Sequence, residues 1–309
     1  MRVLGELGVE IWAADLSEER RALALRAGIA PSRVVADYRL GLPHVEAVDV
    51  VTPADSHLAI ASECVRAGKG CFVEKPLAAT VADGRAIAAM VASSDCVLQV
   101  GHIFRFHQVT AALKDRLRSG ALGAIRYAAG RFTGFKRPRT DVGVTMTDAI
   151  HYFDLFTDLL DRPPTTVTAT LRDHLGRGMD DWSLTTVEYG GVAAVVEAGY
   201  FAPTTSRDCL VVGERGAIAG DFNTSELRIY ANEHVSGPRG WEAKEGPVET
   251  LKVSGAEPLR AEIEQFLDSV AHRSPPSVDV GAGLSALRVA EAACRSSALG
   301  RRVALTEID

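Results

Sequence analysis

Short apolar runs and amphipathic stretches alternate through the first third of the chain. Residues 10–15 read as a strand that ends on the acidic Asp15. Ser17 is placed to cap the next helix, with Glu18 and Glu19 in its positive first turn and Gly28 stopping it. Residues 47–52 read as a second strand closed by Pro53, and a helix over about 56–67 carries Leu58, Ala61 and Val65 on one face. Residues 71–75 and 96–101 predict two more strands, separated by a helix that Thr80 and Asp83 start with T-x-x-D spacing. Apolar strands alternating with helices pair in parallel and are covered on both faces. The pattern is part of a doubly wound α/β domain.

The texture changes after about Gly120. Alternating segments predict strands over 125–135, 165–175, 183–189 and 192–200, the last two flanking the hairpin signal Gly190-Gly191. A further pair, 210–212 and 217–222, is split by residues 213–216. Strands joined by tight turns predict an open antiparallel sheet in an α+β domain. Two helices close the chain, one with Leu259, Ile263, Phe266, Leu267 and Val270 at helical spacing, the other over about 283–299.

Composition narrows the function classes. Apolar residues make up 47% and charged residues 24%, as in an ordinary globular protein, so disorder and disulfide scaffolds are excluded. A net charge of -6 excludes the electrostatic footprint of a nucleic-acid binder. The five cysteines are scattered with no C-x-x-C pair, which argues for a reducing compartment and against structural zinc. No apolar run approaches the ~20 residues that span a bilayer. A cytoplasmic protein without membrane or nucleic-acid partners is expected.

A doubly wound nucleotide domain opens with a strand and a G-x-G-x-x-G turn, followed ~20 residues later by an acidic residue for the ribose hydroxyls. Asp15 suits that acidic position, and reads equally as a solvated carboxylate at a strand end. Gly5 and Gly8 lack the spacing of the turn, and Leu4, Leu7 and Val9 look like the tail of a helix. The expectation is a domain whose first strand and glycine loop are missing, in a chain that begins inside its first strand–helix–strand unit, through a misassigned start codon or a real loss.

Lys75, in Glu74-Lys75-Pro76, stands at the carboxyl end of a parallel strand, where Pro76 holds it extended. A lysine there donates to a substrate hydroxyl and stabilises a developing alkoxide; the Glu-Lys-Pro triplet alone favours the plainer reading of a surface lysine beside a loop proline. Four segments in order carry more weight: 51–57 (VTPADSH), 71–77 (CFVEKPL), 101–106 (GHIFRF) and 142–154 (VGVTMTDAIHYFD). With these the chain resembles the glucose–fructose oxidoreductase / inositol dehydrogenase (Gfo/Idh/MocA) family of nicotinamide-dependent oxidoreductases, from about Val3 to Val303.

The resemblance implies a Rossmann-like domain over 1–102 and a substrate and oligomerisation domain over 103–309, with the active site between them. It implies Lys75 at the reacting hydroxyl and the nicotinamide ribose. His151 becomes the general acid/base, a role that suits a group titrating near neutrality. Asp15, Thr52, Pro53, His57, Glu74, Lys75 and Arg105 fall at cofactor-lining positions, although a salt bridge is an equal reading of Arg105. NAD is favoured over NADP because Asp15 repels a 2′-phosphate.

The family places an aspartate four residues before the histidine, where this chain has Thr147. Asp148, one residue later, is the candidate third catalytic residue, turned ~100° from that position on a regular helix. The basic run Lys136, Arg137 and Arg139 reads as a solvated loop or as a site for a phosphorylated or nucleotide-linked sugar. Asp173, His174, Asp180 and Asp181 lack a metal constellation, and no metal is expected. The reaction expected is hydride transfer between NAD and a hydroxyl or carbonyl carbon of a sugar, cyclitol or nucleotide sugar, in a homo-oligomer. The alternative is a dehydrogenase-like binding or regulatory protein that has lost nucleotide with its glycine loop.

Overall fold

The computed structural model describes residues 1–308, which fold as two compact units: Met1–Gly101 with Glu257–Gly281, and His102–Ala256 with the chain from Ala282 onward. The first contains α1 (Arg2–Glu6), β1 (Ala13–Ala14), α2 (Glu18–Arg26), β2 (Val34–Val35), β3 (Ala47–Val50), α3 (His57–Arg66), β4 (Gly70–Glu74), α4 (Val81–Ala92) and β5 (Leu98–Gly101). Local chemistry sets these boundaries as the sequence predicts. The Ser17 side chain accepts the Arg20 N–H at the start of α2, and the Thr80 hydroxyl accepts the Asp83 N–H at the start of α4. Every strand pair in this unit is parallel, in two sheets, β1-β2 and β3-β4-β5. Cys71, Phe72 and Val73 of β4 are buried, as a strand covered on both faces must be.

The helix Pro258–His272 belongs to this first unit, so the compact units divide the chain differently from the expected 1–102 and 103–309. The reason is its apolar stripe: Phe266 packs edge-on against Phe72 at 5.6 Å, and Ile263 and Phe266 share a buried cluster with Val3. The Gln99 side-chain amide donates to the Glu262 carbonyl at 3.1 Å, tying the same helix to β5.

The second unit contains α5 (Gln108–Arg118), β6 (Ile125–Thr133), α6 (Ile150–Leu160), β7 (Thr166–Arg172), β8 (Trp182–Glu188), β9 (Ala193–Gly199), β10 (Ser206–Gly213), β11 (Gly216–Asp221), β12 (Glu226–Tyr230), β13 (Glu233–Gly237), β14 (Gly240–Lys244), β15 (Val248–Lys252), most of α7 (Val280–Leu299) and β16 (Val303–Ala304). Nine of these strands form one sheet in the order β15-β12-β11-β10-β6-β9-β8-β7-β16. The sheet is mixed rather than purely antiparallel, because β6 and β9 run parallel. Helix α6 carries the chain back after β6, so β7 starts in the direction of β6, and two antiparallel steps restore that direction in β9.

One face of the sheet receives α6. Ala128, Gly130 and Phe132 of β6 alternate inward with Ala194, Val196 and Ala198 of β9. Gly130 lies under the ring of Tyr152, where an added Cβ would overlap the ring carbons. The Tyr152 hydroxyl then donates to the Arg131 carbonyl at 2.8 Å. All five cysteines are free, and among the described residues no helix is long and apolar enough to cross a membrane. Gly130→Ala should destabilise this unit by about 1–3 kcal/mol, the usual cost of overpacking. A chemical-denaturation midpoint unchanged from wild type would contradict this packing of α6 on β6.

Candidate active site

In the first unit, a cleft of about 1960 Å³ is lined from both parallel sheets, by Ala14 and Val35 on one side and Val48 and Val50 on the other. Asp15, Thr52 and Pro53 all line it. The Asp15 carboxylate accepts the Ser17 N–H at 2.8 Å, which fixes it at the end of β1. Thr52 and Pro53 form the turn after β3, where Ser56 donates its hydroxyl to the Thr52 hydroxyl oxygen at 2.7 Å. A strand-end carboxylate beside an apolar wall suits the ribose and base of a dinucleotide. No turn of G-x-G-x-x-G spacing lines the cleft among the described residues.

His57 is buried, and its ring nitrogens lie 2.8 Å from the Thr52 carbonyl and 3.0 Å from the Pro76 carbonyl. It therefore ties the turn after β3 to the segment that follows Lys75. This tie is a structural role that stands beside the cofactor-lining one its motif suggests. The backbone N–H of Lys75 donates to the Glu74 carboxylate at 3.2 Å, and that carboxylate packs against Gly101. Lys75 follows β4 directly and is half-buried, and its bond to Pro76 is cis.

In the second unit, a π-helical turn, Thr145–Ala149, leads into α6. Asp180, just before β8, holds its start: the carboxylate accepts the Thr145 N–H at 2.8 Å and the Thr145 hydroxyl at 2.7 Å. Burial pushes the Asp180 carboxyl above its ordinary pKa, and the two Thr145 donors oppose that shift. Gly143 lies so close to this carboxylate that an added Cβ would overlap it. A π turn is wider than an α-turn, so the ~100° per residue of a regular helix does not carry across it.

Thr147 and Asp148 are both buried. The Thr147 hydroxyl lies 3.1 Å from the Gly143 carbonyl and 3.1 Å from the Tyr200 hydroxyl. Burial keeps the Tyr200 phenol above its ordinary pKa, with smaller contributions from Asp148 and Asp180, so it remains protonated at neutral pH. Asp148 instead meets Lys136, whose Nζ is 2.6 Å from its Oδ2. His151 is 7% exposed and stacks on Phe104 at 5.0 Å and on Phe132 at 5.5 Å, so only a small part of it is accessible.

In the first unit Asp15, Thr52 and Pro53 line one cleft, whereas His57, Glu74 and Lys75 are grouped by hydrogen bonds at the end of β4 and do not line it. Asp148 and His151 stand on the π turn and α6 of the second unit. Arg105 is taken up by α6: it grips Asp154 with Nε at 2.8 Å and Nη2 at 2.5 Å, and its Nη1 lies 3.4 Å from Asp158. Asp154 is buried and needs that cation. Lys136 is drawn in from the basic run, with its ammonium 4.6 Å from the Phe132 ring centre and 5.3 Å from that of Tyr200. Arg139 pairs with Asp141 at the surface, as a solvated loop does. Asp173 and Asp181 accept backbone N–H groups of the 173–178 turn.

Sequence reasoning does not find Tyr200, Phe132, Phe104 or Arg207. Arg207 leaves a signal, because it shares the inward phase of β10 with the buried Cys209 and Val211. Phe104 falls inside the 101–106 segment that carries the resemblance, whereas Phe132 and Tyr200 leave no signal because they look like ordinary core.

Two family models match consecutive parts of the chain. One, described as "Oxidoreductase family, NAD-binding Rossmann fold", covers residues 9–102, and the other, "Oxidoreductase family, C-terminal alpha/beta domain", covers residues 114–305. UDP-N-acetylglucosamine 3-dehydrogenase of Acidithiobacillus ferrooxidans is 29% identical over 250 residues, 81% of this chain and 78% of that protein. Inositol 2-dehydrogenase of Rhizobium meliloti is 25% identical over 284 residues, 84% of this chain and 81% of that protein. The solved levoglucosan dehydrogenase in complex with NADH and levoglucosan overlays with a TM-score of 0.83 at 21% identity, covering 96% of this chain and 90% of its own. The expectation that the chain begins inside the first strand–helix–strand unit is not borne out by these matches.

Thr145→Val keeps the shape but removes one donor from the half-buried Asp180 carboxylate, at a cost of about 1 kcal/mol. A fall in the thermal midpoint is expected, and an unchanged midpoint would show that Asp180 does not hold the π turn.

Proposed function

Because the chain belongs to the Gfo/Idh/MocA oxidoreductase family, whose nucleotide-binding and C-terminal domains it matches in order, we propose that it is an NAD-dependent oxidoreductase of sugars, cyclitols or nucleotide sugars. The observation that carries this reading is the combination of strand-end groups in one unit with a buried, ring-stacked histidine beside a charged pair in the other. NAD supplies the hydride acceptor or donor. Asp15 would hold the adenosine ribose hydroxyls, with the turn at Thr52 and Pro53 lining the same cleft.

The remaining work falls to the chain's own side chains. His151 takes the proton of the reacting hydroxyl at a ring nitrogen and returns it in the reverse direction. Stacking between Phe104 and Phe132 restricts the orientation of the ring. Lys75, at the end of β4, supplies a cation suited to a developing alkoxide. Asp148 is paired with Lys136 in the second unit and is not the hydroxyl's base.

The binding-protein alternative is not favoured, because both family domains are matched in order and the named relatives are dehydrogenases. The outer face of the nine-stranded sheet, with Tyr127 and Leu184 exposed, supports assembly of copies through that face.

His151→Ala and Lys75→Ala should each lower turnover at least ~10²-fold while leaving the fold intact. Asp148→Asn should cost less. The measurement is nicotinamide absorbance across a panel of sugars and cyclitols, and wild-type turnover in the His151 variant would refute the assignment.

A further inference from the structure

Two cations meet one aromatic ring beside His151. Arg207 and Phe132 are direct cross-strand partners between β10 and β6, and the guanidinium carbon lies 3.5 Å from the ring centre. Lys136 places its ammonium 4.6 Å from the same centre. His151 stacks on that ring at an interplanar angle of 10°.

The next cross-strand pair shows the ordinary way to place such a charge. Arg131 and Asp208 face each other on the exposed side of the sheet and pair at 3.2 Å. Arg207 is on the other side, in register with the buried Cys209 and Val211, where an unbalanced charge is costly. Its Nη1 donates to the Thr133 carbonyl at 2.9 Å and the Ser206 carbonyl at 2.8 Å, and no carboxylate pairs with it among the described residues. A guanidinium has five N–H donors, so most of this fork is uncommitted. Burial lowers the Arg207 pKa from its ordinary value, and the field of Asp148 works against that shift. Asp148, whose field reaches Arg207, is already engaged by Lys136. Two cations therefore share one carboxylate beside the histidine.

We propose that Lys136 and Arg207 bind an anionic group on the substrate, a carboxylate or a phosphate, so that this site acts on acidic or phosphorylated sugars in preference to neutral ones. This rests on the oxidoreductase reading for the reaction itself, but its binding claim can be tested apart from turnover. A planar carboxylate or phosphate fits the open donors of Arg207 bidentately. Lys136 swings between Asp148 and the ligand as a point charge. Cation–π contact with Phe132 holds both cations in place when no ligand is present.

The test is calorimetric titration of the full chain in the presence of NAD with D-glucose, D-glucuronate, glucose 6-phosphate and UDP-N-acetylglucosamine, alongside turnover of each. At least one anionic probe should bind at least ~10-fold more tightly than glucose, the smaller end of what a charge-assisted hydrogen bond contributes. Lys136→Gln and Arg207→Gln should each remove most of that preference and weaken its dependence on salt. Arg207→Lys keeps the charge but loses the fork, and guards against a folding defect in the glutamine variant. Glucuronate responding without the phosphates identifies the group as a carboxylate, and the reverse identifies a phosphate. Anionic binding that is lost in the variants supports the proposal even where no probe is turned over, a result that would count against the oxidoreductase reading alone. Glucose binding as tightly as every anionic probe, or anionic binding unchanged in Lys136→Gln and Arg207→Lys, overturns the proposal while leaving the oxidoreductase reading intact.

Discussion

A carboxylate partly withdrawn from water must be met by donors, and the turn that carries the second unit's candidate residues is built on one that is. Asp180 finds its donors in the N–H and hydroxyl of Thr145, which fixes where the chain turns after β6. The close approach needs a residue without a side chain at 143, and Gly143 supplies it. From this anchor the π turn opens, and α6 begins with His151 already pointing among the rings of Phe104 and Phe132. The positions of Thr147, Asp148 and His151 all follow from that wide turn. A regular helix in its place would present a different set of side chains.

The charges around this turn are sorted by the depth at which they sit. Asp154 is fully covered and takes the bidentate fork of Arg105. Asp148, nearly as deep, takes the single ammonium of Lys136. Thr147 has no charge and is satisfied by a carbonyl and the Tyr200 hydroxyl. The Thr147 hydroxyl therefore has a structural role, and the carboxylate of the next residue, Asp148, has its own cation. Lys136 departs from the ordinary behaviour of a basic loop for that reason.

Much of the fold is legible from periodicity and caps. Ser17, Thr80 and the apolar runs at 47–50 and 70–74 announce their elements because local hydrogen bonding and burial decide them. The parallel β6–β9 contact is not legible, since it depends on α6 returning the chain across the sheet, which no local pattern encodes. The packing of the helix Pro258–His272 on Phe72 is hidden for the same reason, because its partner lies far away in sequence. In the site, Lys75, Asp148 and His151 stand out through the motifs that contain them. The π turn does not, because a spacing rule assumes the regular helix that this segment abandons. Arg105 carries a motif signal for the cofactor, yet Asp154 and Asp158 decide its position.

Service of a dinucleotide by the strand-end groups of the first unit, Asp15 among them, is the proposal on which the chemistry depends. It is tested most directly by calorimetric titration of the full chain with NAD and, separately, with NADP. Saturable binding of NAD, with NADP weaker because the Asp15 carboxylate repels a 2′-phosphate, is the result the account predicts. Absence of any saturable binding of either dinucleotide would contradict it.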